Sequence, residues 1–423
     1  MRSVEEQLSA VTAAAAMPDP VRLDISSALG LMSAEDVVSE IQMPAFSQAA
    51  IDGYAVRAVD INGDFARRGD QRDEEEPRRG AVELPVVGEV PAGSAQPLKL
   101  QPNQAVRVYT GAPLPTLADA VLPLDWTERA GSRITVSRSV SSGDFVRRPG
   151  DDVQVGDIVV SAGQVISPAQ IGLLASVGRA KVLVHPRPRV SVMSIGQELI
   201  DLGGAPKQGQ VYDVNSYSLA AAARDAGADV TRVGITVGEP AHIRDLLKEQ
   251  LRRSEVLIIA GAVGGDAGQE FRQVLEELGT IEYNRIAMHP GSVQGFGFLG
   301  EDRVPTFLLT GNPIGALVAF EVMVRPLIRI ALGKRNARRR TVSARCMSNL
   351  DSVEGRRGYI RARLMRDRET RDYLVQPLSG SDGRQTHLLA GLSEANCLIV
   401  IDEDSPGVRA GDSVDVLFLS RLG

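Results

Sequence analysis

The chain has 423 residues, 43% of them hydrophobic and 24% charged, and carries a net charge of −6. This is the composition of an ordinary soluble protein of roughly two to four domains, and the negative charge argues against a nucleic-acid binder. No apolar run approaches the ~20 residues of a membrane span, and Met1-Arg2-Ser3-Val4-Glu5-Glu6 lacks the basic start and apolar run of a signal peptide. The only cysteines, Cys346 and Cys397, imply buried free thiols in a reducing cytoplasm rather than a disulfide framework.

Residues 4–16 and 33–40 read as helices, the first opened by a capping box of Ser3 and Glu6. From residue 41 to 143, short Val-rich runs alternate with Gly/Pro turns, a β-rich pattern. Within it, the charge cluster 70–79 reads as a solvated loop. Residues 181–334 alternate strand and helix. Strands are predicted at 189–194, 255–260, 281–287 and 304–309, with helices at 215–226, 241–253 and 267–278. Such repetition implies a parallel sheet covered on both faces, with ligands beyond the carboxyl ends of its strands. The basic run 335–340 reads as a solvated linker, and residues 341–423 are again β-rich.

Five segments carry chemistry. In Ala50-Ile51-Asp52-Gly53-Tyr54-Ala55, an acid before glycine reads as a tight turn displaying one carboxylate, and most such turns are merely solvated or capping. Tyr109-Thr110-Gly111-Ala112-Pro113 offers a hydroxyl and backbone N–H groups to an oxyanion, or is an ordinary turn. In Val146-Arg147-Arg148-Pro149-Gly150-Asp151-Asp152, adjacent acids can hold a hard cation such as Mg²⁺, although alone they would mark a turn or helix start. Ser194-Ile195-Gly196-Gln197-Glu198-Leu199 follows a predicted strand. In Tyr212-Asp213-Val214-Asn215, Asp213 and Asn215 cap the next helix or face a ligand cleft.

Together these segments resemble the molybdopterin molybdenumtransferases, the MoeA/gephyrin E-domain family, over essentially the whole chain. The resemblance implies an α/β plus β fold in an elongated multi-domain chain. Its parts are a helical/extended first domain (1–40 and 144–180), an inserted β-rich domain (41–143), an α/β molybdopterin-binding-like domain (181–334) and a C-terminal β domain (335–423). It also implies a homodimer. The family inserts molybdate into adenylylated molybdopterin and hydrolyses the adenylate. Carried onto this chain, catalytic candidates are Asp52, Thr110, Asp152, Glu198 and Asp213. Asp52, Asp151, Asp152 and Glu198 are implied Mg²⁺ ligands, and Gly261, Asp266, His289, Gly311, Asn312 and His387 are implied contacts to molybdopterin and molybdate.

The chain departs from the family pattern in several places. Where the family has Ser-Gly-Gly-Val-Ser-Val-Gly and then an aspartate, this chain has Ala260-Gly261-Ala262-Val263-Gly264-Gly265-Asp266, with Gln269 at the aspartate position. The family Lys-Pro-Gly-Lys-Pro stands as His289-Pro290-Gly291-Ser292-Val293; Thr310 replaces a proline, and only His387 is kept of Gln-Gly-Ser-His. Charge-assisted hydrogen bonds are worth about 1.5–3 kcal/mol each, so these changes point to weak or lost molybdenum insertion. The reading taken from them is a gephyrin-like homodimeric scaffold that binds a short peptide tail of a partner, such as the division protein FtsZ or a membrane receptor. Phe320, Pro326, Leu388 and Leu389 would form the groove, and the cytoplasmic chain would be recruited to a membrane or division site. The alternative is an active molybdopterin molybdenumtransferase, supported by the retained carboxylates.

Overall fold

The computed structural model describes residues 1–66, 82–95, 98–263, 267–378 and 392–419; the 70–79 charge cluster lies outside them. The chain divides into two compact units, 22–183, and 1–21 with 184–423. The opening helix α1 (Val4–Thr12) packs with the second unit. Its start is fixed as expected: Ser3 Oγ accepts from Glu6 N (3.1 Å) and Glu6 Oε2 accepts from Ser3 N (2.9 Å). Its apolar face, Val4, Leu8 and Val11, then enters one core with Phe320, Val322 and Leu327.

In the 22–183 unit, the helix expected at 33–40 does not form. Val37–Val38 is a strand paired with Ile158–Val160, the state that β-branched neighbours favour. Glu35, instead of supporting a helix, accepts from Leu183 N (2.8 Å) and pairs with Arg22 and Arg179. The β-rich segment forms a six-stranded sheet in the order Ala120–Pro123, Gly53–Val56, Ala105–Val108, Val82–Val90, Arg133–Val136, Thr127–Ala130. Tyr54, Val56, Leu84, Leu122 and Ile134 fill its core. A helix the sequence did not announce, Ala58–Ala66, follows Gly53–Val56.

The second unit holds an α/β sheet. Its elements are β1 (Arg189–Ser194), α2 (Asn215–Ala226), β2 (Asp229–Ile235), α3 (Pro240–Arg253), β3 (Val256–Ala260), α4 (Ala267–Leu278), β4 (Gly279–Arg285), β5 (Val293–Leu299), β6 (Val304–Leu309) and α5 (Pro313–Ala319). The strand order is β2-β1-β3-β6-β5-β4. The first four strands run parallel, while β5 pairs antiparallel with both β6 and β4, so the sheet is mixed rather than wholly parallel. β3 is buried at every position, as expected of a central strand covered on both faces.

The C-terminal part is a β domain. Arg357–Arg366, Tyr373–Pro377, Thr341–Cys346, Ser413–Phe418 and Cys397–Ile401 pair in that order, and the last pairs back to the first. Closure gives each strand of this ring a partner on both sides. Cys346 and Cys397 are buried free thiols within it. The 335–340 run is not simply a solvated linker, because Arg339 bonds Glu321 (2.8 and 3.0 Å) and Asp225 (2.9 Å).

Candidate active site

In the 22–183 unit, the segment around Ala49 gathers three of the motifs. Gly111 N donates to Ala49 O (2.9 Å), Ala49 N to Ala112 O (2.9 Å) and Ala50 N to Phe145 O (2.9 Å). Val146 and Arg147 continue the contact as strand partners of Ala49 and Gln48. Gly53 opens a strand rather than making the expected turn. A Cβ there would lie 2.1 Å from Leu122 O, so glycine is required by the close approach of two strands.

Asp52 is exposed, and its Oδ1 accepts both the N–H and the hydroxyl of Thr110, each at 2.8 Å. Thr110 therefore does not offer these donors to an oxyanion; it spends them on Asp52. The two bonds, the N–H first and with help from Arg107, hold the Asp52 carboxyl below the usual range. Arg107 is a site neighbour the sequence reading missed. It lies over the rings of Tyr54 (5.4 Å) and Tyr109 (5.0 Å) and donates to Gly53 O (3.3 Å). A depressed carboxyl contributes stability above its unfolded pKa and loses that contribution as pH falls through the lower folded value. Asp52 is thus expected to stay ionised from pH 8 down past ~4, the ordinary carboxyl value. In an NMR titration, Thr110→Val should move its midpoint upward, because only the N–H donor then remains.

Asp151 Oδ2 accepts from Arg148 N (2.6 Å), and Asp152 Oδ2 pairs with Arg147 Nη2 (3.4 Å). Among the described residues no group of three or more His, Cys, Asp or Glu is assembled. The expected Mg²⁺ therefore has no gathered ligand set, and no step is assigned to it.

In the second unit the candidates meet at the carboxyl ends of β1, β3 and β6, where an α/β sheet binds its ligands. Asp213 is 2% exposed and joins β1 to α2: its Oδ1 accepts from Ser194 Oγ (2.8 Å) and Ser216 N (3.0 Å), and its Oδ2 accepts from Ser216 Oγ. It caps α2 as one sequence reading had it, and its oxygens are turned inward. Asn215 Nδ2 donates to Gly311 O (2.8 Å), tying α2 to the turn after β6, while Asn215 Oδ1 is buried without a partner. Asn312 caps α5, accepting from Ile314 N (3.0 Å) and Gly315 N (3.1 Å), and with Gly311 it is exposed. Gly261 N donates to Leu309 O (2.9 Å). Glu198 is exposed, with its carboxylate folded over Gly196.

His289 is half-buried in a short strand that pairs with Arg357 and Gly358 of the C-terminal domain. Ser292 Oγ is spent on Ile286 O (2.9 Å). Asp266, His387, Leu388 and Leu389 lie outside the described residues. Phe320 is wholly buried in the core and cannot wall a groove. Pro326 borders a cavity of about 300 Å³ with Val322, Tyr359 and Leu398.

Family models match most of the chain in three parts: "MoeA N-terminal region (domain I and II)" over residues 2–178, "Probable molybdopterin binding domain" over 191–330 and "MoeA C-terminal region (domain IV)" over 343–419. Molybdopterin molybdenumtransferase 1 of Mycobacterium tuberculosis is 57% identical over 100% of both chains. Molybdopterin molybdenumtransferase 2 of the same organism is 35% identical over 98% of this chain and 99% of the relative. A solved structure of the molybdopterin biosynthesis MoeA protein of Pyrococcus horikoshii superposes with a TM-score of 0.78 at 30% identity, covering 99% of each chain. The scaffold reading is corrected by these likenesses, since full-length relatives bear a transferase's name. Two of the substitutions that prompted it have a structural explanation. Ala260 and Ala262 are fully buried, each packed in a hydrophobic core.

Proposed function

The chain belongs to the MoeA family, and on that premise we propose that it is a molybdopterin molybdenumtransferase. It inserts molybdate into adenylylated molybdopterin and hydrolyses the adenylate. The observation that carries this reading is Asn215. Its amide nitrogen is committed to Gly311 O, leaving Oδ1 an unpartnered acceptor at the carboxyl edge of the sheet. A buried acceptor without a partner is costly, and a pterin, rich in N–H donors, suits it where an anion does not. Asp52 is too acidic for an efficient general base near neutral pH. Its role is to orient a donor, such as the water that attacks the adenylate.

Purified chain given adenylylated molybdopterin and molybdate should yield the cofactor and AMP. Asp52→Asn and Glu198→Gln should each lower the rate by about 10- to 100-fold, the worth of one charge-assisted bond. Absence of conversion by the unaltered chain overturns the reading. A gentler probe is Gly196→Ala, whose Cβ would lie 2.7 Å from both Glu198 oxygens. The obstacle is the far end of a flexible side chain, so stability should hold within ~0.5 kcal/mol while the displaced carboxylate lowers the insertion rate.

We also infer a homodimer. Val38, Ile41, Val155 and Ile158 are 45–65% exposed. They are neighbours through the Val38–Ile158 strand pair and the bond from Ser39 N to Asp157 O (2.9 Å). A single-chain mass in light scattering removes this inference. The buried free thiols fit a reducing compartment, and on this reading the reaction belongs to the cytoplasm.

A further inference from the structure

The segment that carries Glu198 is held by a side chain to which no motif pointed. Arg232 lies on the edge strand β2, where the register against β1 shifts: Val192 faces Arg232, but Met193 faces Gly234. Gly234 adopts φ +88° at this bulge. A bulge bends its strand and re-aims the side chains around it. Here it accompanies a guanidinium that reaches three places at once. Arg232 Nη2 donates to Asp201 Oδ2 (3.0 Å), and Nη1 donates to Ser216 Oγ (3.0 Å) and lies 4.0 Å from Asp213 Oδ2. The guanidinium also lies 4.0 Å from the centre of the Tyr217 ring.

Tyr217 completes the arrangement, its hydroxyl donating to Asp201 Oδ1 at 2.7 Å. That phenol first, then Arg232 and the Leu202 N–H, hold Asp201 down to about 2. Asp201 follows Glu198 by three residues, directly after a short strand, Leu199–Ile200, paired with Val211–Tyr212. One guanidinium thus links the Glu198 segment, the first turn of α2 and, through Asp213, the end of β1. The Asp201 side chain is 47% exposed, and an ion pair so placed contributes little to global stability. Its forked geometry and aromatic seat instead fix an orientation.

We propose that Arg232 and Tyr217 clamp Asp201 so that the Glu198 carboxylate is held in its working position, which makes Arg232 a positioning residue for the reaction. This rests on the transferase reading, because it takes Glu198 to serve the reacting substrate. Three variants test it: Asp201→Ala, Asp201→Asn, and Glu249→Ala as a control for another exposed pair, Arg253–Glu249. Readouts are kcat and KM for adenylylated molybdopterin, the thermal midpoint, and amide hydrogen exchange over 196–202.

Asp201→Ala should leave the thermal midpoint and KM unchanged, lower kcat by about 10-fold, the worth of one charge-assisted bond, and speed exchange in the segment. Asp201→Asn, which still accepts from Tyr217, should recover part of kcat, and Glu249→Ala should match the unaltered chain. Exchange in Asp201→Ala equal to that of the unaltered chain overturns the clamp, whatever the activity. Faster exchange with unchanged kcat overturns the link to the reaction. If the unaltered chain fails to insert molybdate, the transferase reading falls and the role in that reaction falls with it, whereas faster exchange in Asp201→Ala still upholds the clamp on the segment.

Discussion

Gly261→Ala should abolish the folded site. Gly261 stands where β3 leaves the sheet, at φ +91°, and a Cβ built on it would lie 2.1 Å from Ile195 O and 3.2 Å from Ile195 C. The obstacle is backbone that cannot step aside, because Ile195 N donates to Ala260 O (2.8 Å) and Gly261 N to Leu309 O (2.9 Å). A left-handed conformation costs an alanine about 1–2 kcal/mol, and forcing a methyl into packed backbone costs about 1–3 kcal/mol more. The sum, roughly 2–5 kcal/mol, is a large part of a typical stability of about 5–15 kcal/mol. The expected result is a sharply lower thermal midpoint, poor soluble yield and no detectable insertion. A variant with the midpoint of the unaltered chain would show that this turn yields more easily than its geometry allows. The contrast with Gly196→Ala is chemical, since one methyl meets a carboxylate that can swing away and the other meets main chain locked between neighbouring strands.

The same contrast explains what the sequence revealed. Elements with a full apolar period were legible: α2 and α4 start and end where the pattern placed them, and β1, β3 and β6 agree within one residue. β2 was missed because it is an edge strand whose Asp229 and Arg232 break the apolar run. β5 was missed because Gly295 and Gly297 look like breakers. A Cβ on Gly297 would lie 1.9 Å from Thr280 O, so the glycine is what lets β4 and β5 pair. The 33–40 segment misled in the other direction: its Ala, Val and Glu content reads as helix, but Ser33 Oγ donates to Glu35 O (2.8 Å), and Asp36 Oδ1 accepts from Ala162 N (2.7 Å) in the 22–183 unit.

The family was legible in the motifs; the balance between its activities was not. Sequence reading treated every substituted position as a lost ligand contact, but the direction of a side chain is a property of the packed structure. Ala260 and Ala262 point into cores, and Ser292 is bonded to its own turn. Conversely, Arg107, Arg232 and Tyr217 carried no motif. Their importance arises from partners that are distant in sequence or brought close by a bulge, which local spacing does not encode. The nearest signal was Tyr109 beside Thr110, an aromatic ring two residues from a strand arginine.

Asp213 should separate carboxylate chemistry from scaffolding. Its side chain is closed to solvent, and its oxygens accept from Ser194 and Ser216, both wholly buried. Asp213→Ala would leave those hydroxyls and the Ser216 N–H without an acceptor and Arg232 with only Asp201 as an ion partner. Each orphaned buried donor costs about 1–3 kcal/mol, and breaking a buried pair from one side costs about 3–5 kcal/mol. Because Arg232 keeps Asp201, the three orphaned donors set the cost, roughly 3–9 kcal/mol, with the ends of β1 and α2 coming apart and insertion lost. Asp213→Asn keeps the shape and one oxygen to accept from the Ser216 N–H and the Ser194 hydroxyl, while its NH₂ can donate to Ser216 Oγ. If Asp213 acts by holding these ends together, the Asn variant should fold and retain insertion within about threefold, less than the cost of one charge-assisted bond. Should the Asn variant instead fold with an unaltered midpoint and lose insertion by more than about 100-fold, the carboxylate itself takes part in the chemistry, and the inward-facing geometry is not the state in which the reaction runs.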